Sequence, residues 1–121
     1  MSVFDTSALL AILRDEPGGS VAYGHLDGGA RCSAAIWSEL AQKLPQLGVH
    51  WPEARELLVS LGVAVEVVTA QDAEAAAALW EKGQGLSLAD RLCIALGNRL
   101  GEEIVTCDSA WVRYPRVVLV R

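Results

Sequence analysis

The sequence predicts an α/β fold with a mainly parallel sheet of about five short strands. Short apolar segments of strand type alternate with longer segments of helical periodicity, and Gly or Pro separates many of them. This alternation favours parallel pairing, because each helix returns the chain to the same end of the sheet. With 121 residues and 52% hydrophobic composition, residues 1–121 are expected to form one domain with a substantial core.

The first predicted strand is the apolar segment 2–5, which places Asp5 at the carboxyl end of a strand. Thr6 and Ser7 can both cap a helix, so a helix is expected to begin there. It should stop near Pro17, because proline and the glycines after it interrupt helices.

Residues 20–26 are predicted to form a second short helix that ends at a pair of glycines, and residues 30–33 form a brief buried strand. Ser33 then caps a third helix, and Pro45 is expected to bend its end. Glu39 lies on the edge of the apolar stripe of this helix. The stripe consists of Ile36, Leu40, Leu44 and Leu47.

The second half continues the alternation. Helices are predicted over residues 51–61, 72–82 and 87–100, and strands over residues 63–68, 103–106 and 117–120. The alanine-rich helix has Asp72 early and Lys82 late, as the helix dipole prefers. Glycines after Lys82 end it.

Composition limits the classes of function. A formal charge of −5 argues against a broad basic surface that clamps nucleic acid nonspecifically, but a structured anionic target stays open. Three cysteines without a C-x-x-C pattern are interpreted as reduced thiols, which predicts a cytoplasmic protein. The apolar run 8–13 follows an acid and is too short for a signal peptide or a membrane span, so no membrane contact is expected.

Four carboxylates stand alone among apolar or small residues. We call them the acid quartet: Asp5, Glu39, Asp90 and Asp108. Charges are seldom left beside apolar surface unless they are paired or bound to a cation. Two like charges about 4 Å apart repel by roughly 4 kcal/mol at an effective dielectric of about 20. Gathering these acids therefore needs a cation, and oxygen ligands without His or Cys at ligand spacing favour Mg²⁺ or Mn²⁺ over zinc.

Two members directly follow predicted strands, whose carboxyl ends border the crevice of a parallel sheet. Each member also has a purely structural interpretation. Asp5 could cap a helix, and Asp108 could form an Asx-turn. Ser87 and Asp90 fit a capping box, and Glu39 could be an ordinary surface residue. Four such coincidences in one short chain are less plausible than a shared site.

Further residues could assist such a site. The hydroxyls of Thr6, Ser7 and Thr106 could hydrogen-bond carboxylates or metal-bound water, although capping explains the first two equally well. Arg91 could approach a phosphate or pair with an acid. The four tryptophans are expected mainly in the core, and Trp111, shortly after the last acid, is the one among them that could stack on a base.

The motifs together resemble those of the PIN-domain ribonucleases, and within them the VapC toxins of bacterial toxin-antitoxin pairs. Each segment is similar to one acid-bearing motif of that family, and the order and spacing agree. The segments are residues 3–10, 33–40, 86–91 and 106–111. The turn at residues 16–18 also resembles the one that follows the opening motif.

This resemblance implies a three-layer α/β/α arrangement, a metal pocket formed by the acid quartet, and endonucleolytic cleavage of RNA. Asp5, Asp90 and Asp108 would bind Mg²⁺ or Mn²⁺ directly, and Glu39 directly or through water. The resemblance also implies a homodimer and a VapB-type antitoxin that wraps the toxin. Some relatives carry one more acid after the fourth. Residues 109–113 offer none, so one metal or two stays open.

Three other classes stay open. A receiver-type phosphoacceptor domain needs an acidic pair after its first strand, where Thr6 and Ser7 stand, and a late lysine, but no lysine follows Lys82. A haloacid-dehalogenase-like phosphatase would use Asp5 as nucleophile but needs Asp-x-Asp there. The last is a PIN-like domain that only binds RNA or a partner.

Overall fold

The computed structural model covers residues 1–121 and contains one sheet of five parallel strands. The strands are β1 (Ser2–Phe4), β2 (Ala30–Ser33), β3 (Val63–Glu66), β4 (Glu103–Thr106) and β5 (Val117–Leu119). Their order is β3-β2-β1-β4-β5, and register pairs Ser2 with both Ala30 and Glu103. The predicted strands are confirmed, and β1 is central.

Six helices connect the strands. They are α1 (Thr6–Leu13), α2 (Gly19–Gly24), α3 (Ala34–Gln46), α4 (Trp51–Ser60), α5 (Ala70–Ala78) and α6 (Leu88–Leu100). Starting at β1, the chain adds β2 and β3 in one direction across the sheet and then crosses back to add β4 and β5 on the opposite side of β1. Because the connection from β3 to β4 crosses the sheet in the direction opposite to the earlier connections, right-handed crossovers place helices on both faces. This is the expected three-layer α/β/α architecture.

One apolar core lies between the layers, and α6 contributes its buried face to it. Val3 and Phe4 of β1 and Ile104 and Val105 of β4 are fully buried. Gly97 brings α6 close to β4, because a Cβ there would collide with the Ile104 side chain. This close approach fixes the position of α6, whose first turn carries Asp90, against β4.

Several predicted boundaries are wrong. Helix α1 ends at Leu13, well before Pro17, because Asp15 adopts a left-handed backbone conformation with φ of 51°. Leu47 follows α3 and is 44% exposed, so it is not part of the buried stripe. Pro45 occupies the last turn of α3, where the helix is already ending.

The predicted extents of β3 and α5 also differ from the structure. β3 ends at Glu66, and Val67 beyond it is 71% exposed. Thr69 is the N-cap of α5, so this helix begins before Asp72 and ends before Lys82. No helix combines the length and apolar character that crossing a membrane requires.

Candidate active site

The fold brings the acid quartet to one cavity of about 310 Å³ at the carboxyl end of the sheet. Asp5 follows β1 and Asp108 follows β4, while Glu39 lies on α3 and Asp90 in the first turn of α6. The predicted convergence of these acids is therefore observed. The other lining residues are Thr6, Ser7, Leu10, Lys43 and Ser87.

Asp5 is fixed most firmly. Its backbone N–H donates to the Val105 carbonyl of β4, and its carboxylate caps α1 by accepting from the Ala8 N–H at 2.9 Å. Thr106 Oγ1 donates to the same carboxylate at 2.7 Å. The side chain is buried, and that burial raises its pKa from 3.8 to about 6 against the lowering effect of these bonds, with a further upward contribution from Asp90.

Asp90 forms the predicted capping box with Ser87. The Ser87 N–H donates to Asp90 Oδ2 at 3.0 Å, and the Asp90 N–H donates to Ser87 Oγ at 3.1 Å. Partial burial raises the pKa of Asp90, the bonds with Ser87 lower it, and the negative charges of Glu39 and Asp108 raise it further. The structural interpretation as a capping box is therefore confirmed, and the same side chain lines the cavity.

Glu39 is half-buried, and Asp108 is the one exposed member of the acid quartet. Thr6 Oγ1 donates to Glu39 Oε1 at 2.6 Å, so this hydroxyl orients an acid and does not cap α1. Asp108 is exposed and accepts from the Ala110 N–H at 2.9 Å, which begins the 3₁₀ turn Ser109–Trp111. Asp108 therefore also has the local turn role that its sequence context allowed.

The hydroxyls of Ser7 and Thr106 form hydrogen bonds beside Asp5 and Asp108. Ser7 Oγ donates to the Asp5 carboxylate at 2.8 Å and accepts from the Cys107 N–H at 2.9 Å. Thr106 Oγ1 accepts from the Asp108 N–H at 3.0 Å while it donates to Asp5. The predicted hydrogen bonds from these hydroxyls to site carboxylates are therefore present, and they link the ends of β1 and β4.

No member of the acid quartet has a cationic partner within salt-bridge distance. No three His, Cys, Asp or Glu side chains stand close enough to form a ready ligand cage. The donors nevertheless fit a hard divalent cation, because they are all oxygens and their charge is uncompensated. Burial first, and then the charges of neighbouring acids, raise the pKa values of Asp5 and Asp90, so the charged form of each carboxylate is disfavoured as long as no cation is bound.

Two predicted substrate contacts are corrected by the structure. Trp111 is 1% exposed and packs in the core, so its ring cannot stack on a base. Arg91 does not line the cavity, and its Nη1 donates to the Ala76 carbonyl of α5 at 2.9 Å. Arg91 therefore ties two helices together. Sequence analysis also missed Lys43, although its position one turn after Glu39 predicts a shared helix face.

A larger concavity of about 500 Å³ lies at the turn between α3 and α4. Its lining includes Trp51, which packs edge-on against Trp37 with 5.2 Å between ring centroids, and His50 as its one titratable side chain. It contains no acid, whereas the cavity of about 310 Å³ contains all four members of the acid quartet.

The sequence matches the PIN domain family over residues 2–117. The chain belongs to the PIN domain family. PIN domains are generally nucleases, and the α/β architecture with acids at the strand ends agrees with this membership.

Solved structures share the fold. A toxin-antitoxin complex from Klebsiella pneumoniae contains a chain with 18% identity and a TM-score of 0.79; the match covers 100% of this chain and 98% of that one. VapBC2 from Rickettsia felis, bound to a DNA fragment from its promoter, contains a chain with 16% identity and a TM-score of 0.71. That match covers 98% of this chain and 96% of the other. None of the curated proteins matches the sequence.

Proposed function

We propose that this PIN domain is a metal-dependent endoribonuclease and the VapC-type toxin of a toxin-antitoxin pair. The observation that carries the proposal is the acid quartet, which lines one cavity without a cationic partner. An anionic substrate would be repelled from this cavity unless a cation occupied it. Nuclease chemistry with a divalent metal ion accounts for both the acids and the family.

Asp5, Asp90 and Asp108 would hold Mg²⁺ or Mn²⁺ directly, and Glu39 directly or through water. Bound there, the cation supplies charge stabilisation for the phosphoryl group and a more acidic water. The protein contributes orientation. Thr106 and Ser7 fix Asp5, Thr6 fixes Glu39, and the Ser87 backbone fixes Asp90.

The cavity contains no credible protein nucleophile. Ser7 Oγ is engaged by Asp5 and the Cys107 N–H, and no histidine lines the cavity. Burial raises the pKa of the neighbouring Cys107 thiol, which favours its unreactive protonated form. A water molecule is therefore the proposed attacking group.

The proposed partners are a VapB-type antitoxin, a second copy of the chain and an RNA substrate. Support for the antitoxin comes from the similar solved structures, which are toxin-antitoxin complexes, one of them with promoter DNA. The proposal also places the protein in the cytoplasm, where RNA is the target. The earlier receiver and phosphatase alternatives are less favoured, because the family match covers residues 2–117.

A non-catalytic PIN-like module that binds RNA or a partner is the second candidate. The observation in its favour is that the acids do not form a ready ligand cage. In that case the acid quartet would bind a cation weakly, and RNA would be held without being cut.

The test is incubation of purified, antitoxin-free protein with total cellular RNA in Mg²⁺, Mn²⁺ or EDTA, with product ends mapped by sequencing. We expect discrete cuts that require metal and disappear in D5N. Asn keeps the size and an acceptor oxygen of Asp5, and circular dichroism checks the fold. Absence of cutting in either metal by folded wild-type protein would favour the binding module.

A further inference from the structure

Lys43 is the one basic side chain that lines the acid cavity. It lies on α3 one turn after Glu39, and it is exposed. Helical side chains lean toward the N-terminus of their helix, so the Lys43 stem leans toward Glu39. A positive charge therefore stands beside a strongly acidic cavity.

The ammonium group of Lys43 is not engaged by those acids. It has no salt bridge within 4.0 Å and no hydrogen bond. By contrast, Arg31, Arg99 and Arg113 are all paired with carboxylates elsewhere on the molecule. The charge of Lys43 is thus free for a ligand that reaches the cavity.

A polyanion entering this cavity meets the electrostatic repulsion of the acid quartet. A metal ion compensates charge at the centre, but the phosphates that flank the reacting one lie beyond it. Lysine is a compact point charge on a flexible stem and binds phosphate without a fixed geometry. Its place in the cavity lining puts this charge within reach of a nucleic-acid backbone that approaches the acids.

We propose that Lys43 binds a backbone phosphate next to the scissile one and so positions the RNA strand over the acid quartet. This inference rests on the proposed ribonuclease function. Lys43 acts on substrate binding, while the acids and their cation act on the reaction. Its removal should therefore raise KM and leave kcat nearly unchanged.

The experiment compares wild type, K43A, K43E and K43R on a labelled oligoribonucleotide that spans a mapped cut, in Mg²⁺ at several salt concentrations. K82A is the matched control, because Lys82 is the only other lysine, is exposed and does not line the cavity. We expect KM to rise about 10-fold in K43A and more in K43E, the scale of one lost charged hydrogen bond. K43R should recover most of the loss, and K82A should match wild type.

Salt dependence gives a second readout that a purely structural role would not move. Losing one phosphate contact lowers the slope of log affinity against log salt by about 0.7 for a single strand. An unchanged KM and slope in K43A, with cutting by wild type intact, would overturn the role of Lys43 alone. A fall in kcat at constant KM would overturn it too. Absence of both cutting and RNA binding by wild type would overturn this inference and the proposed function together.

Discussion

Two capping boxes in this molecule are built alike, but the pKa values of their aspartates shift in opposite directions. Thr69 and Asp72 begin α5, and Ser87 and Asp90 begin α6, each with a hydroxyl at the N-cap and an aspartate three residues later. Both aspartates accept from the N-cap backbone, at 3.2 Å and 3.0 Å respectively. The local motif therefore does not distinguish them.

Their surroundings do. Arg99 donates to both oxygens of Asp72, at 2.7 Å and 3.1 Å, and the aspartate side chain is 4% exposed. Burial raises the pKa of Asp72, but the bonds from Arg99 and Thr69 and the charge of Arg99 lower it more, so the net shift is downward. Partial burial raises the pKa of Asp90, the negative charges of Glu39 and Asp108 raise it further, and no salt bridge opposes them, so the net shift is upward. The presence or absence of a cationic partner therefore distinguishes the structural aspartate, Asp72, from the candidate site residue, Asp90.

The largest expected effect is loss of cleavage in D90N. Asn can still accept from the Ser87 N–H, so α6 should remain capped while a proposed metal ligand is lost. We expect cutting to fall more than about 100-fold, beyond the loss typical of outer-sphere partners of metal ligands. Initial rates on the mapped RNA and the thermal midpoint measure the two effects. Full activity in D90N would show that Asp90 is not a metal ligand and that its capping box is purely structural.

The second prediction concerns pH and metal-free protein. The folded pKa of Asp5, about 6, lies above its ordinary 3.8, so protonation favours the folded state. This stabilisation is present below pH 3.8 and is lost as pH rises through about 6. In EDTA the free energy of unfolding should fall by up to about 3 kcal/mol over that interval. Urea unfolding at several pH values measures it, and D5N should flatten the profile.

The third prediction is the mirror image, in which D72N affects stability and spares activity. Replacing Asp72 by Asn leaves Arg99 without its charged partner, which should lower the free energy of unfolding by about 1–3 kcal/mol. Because the folded pKa of Asp72 is depressed, its contribution is present above pH 3.8 and is lost as pH falls through the folded value. Urea unfolding of D72N, R99M and the double variant gives the coupling energy. Additive effects of the two substitutions would contradict a direct pair.

The smallest effects should come from the two caps. T69A and S87A each remove an N-cap hydroxyl and should cost about 1 kcal/mol of stability. S87A keeps the Ser87 N–H that bonds the Asp90 carboxylate, but it loses the acceptor of the Asp90 N–H and so loosens the first turn of α6, which carries Asp90 into the cavity. T69A loosens a helix that does not line the cavity, so only S87A should also slow cleavage. Equal cleavage rates in the two variants, measured at a temperature where both are folded, would show that the cap does not position Asp90.

The sequence predicted what depends on neighbouring residues. Strand positions followed from short apolar runs, and Asp5 and Asp108 were found because they directly follow such runs. The Ser87 and Asp90 box was visible because its residues are three apart. These local rules suffice for a parallel sheet and for the acids at its edge.

Long-range packing defeated the prediction elsewhere. The partner of Asp72 is Arg99, which is 27 residues away and reached only when α5 packs on α6. Trp111 was considered for stacking on a base because it shortly follows an acid, yet it belongs to the main core, which is the usual place of a tryptophan. Lys43 could be placed on the face of Glu39, but only the folded cavity shows that its charge is unpaired.

The hydrogen bonds of the acid quartet also limit how many ligand atoms it offers. Three donors bond to the Asp5 carboxylate, namely the Ala8 N–H and the hydroxyls of Ser7 and Thr106. Glu39, Asp90 and Asp108 each accept one hydrogen bond. A carboxylate has about four acceptor positions, so in the proposed role each of the four acids keeps at least one position for an ion that requires about six ligands, and Mg²⁺ commonly keeps several waters. The unfilled coordination positions would then belong to water and to RNA oxygens. The nucleic acid would complete the metal centre that cuts it.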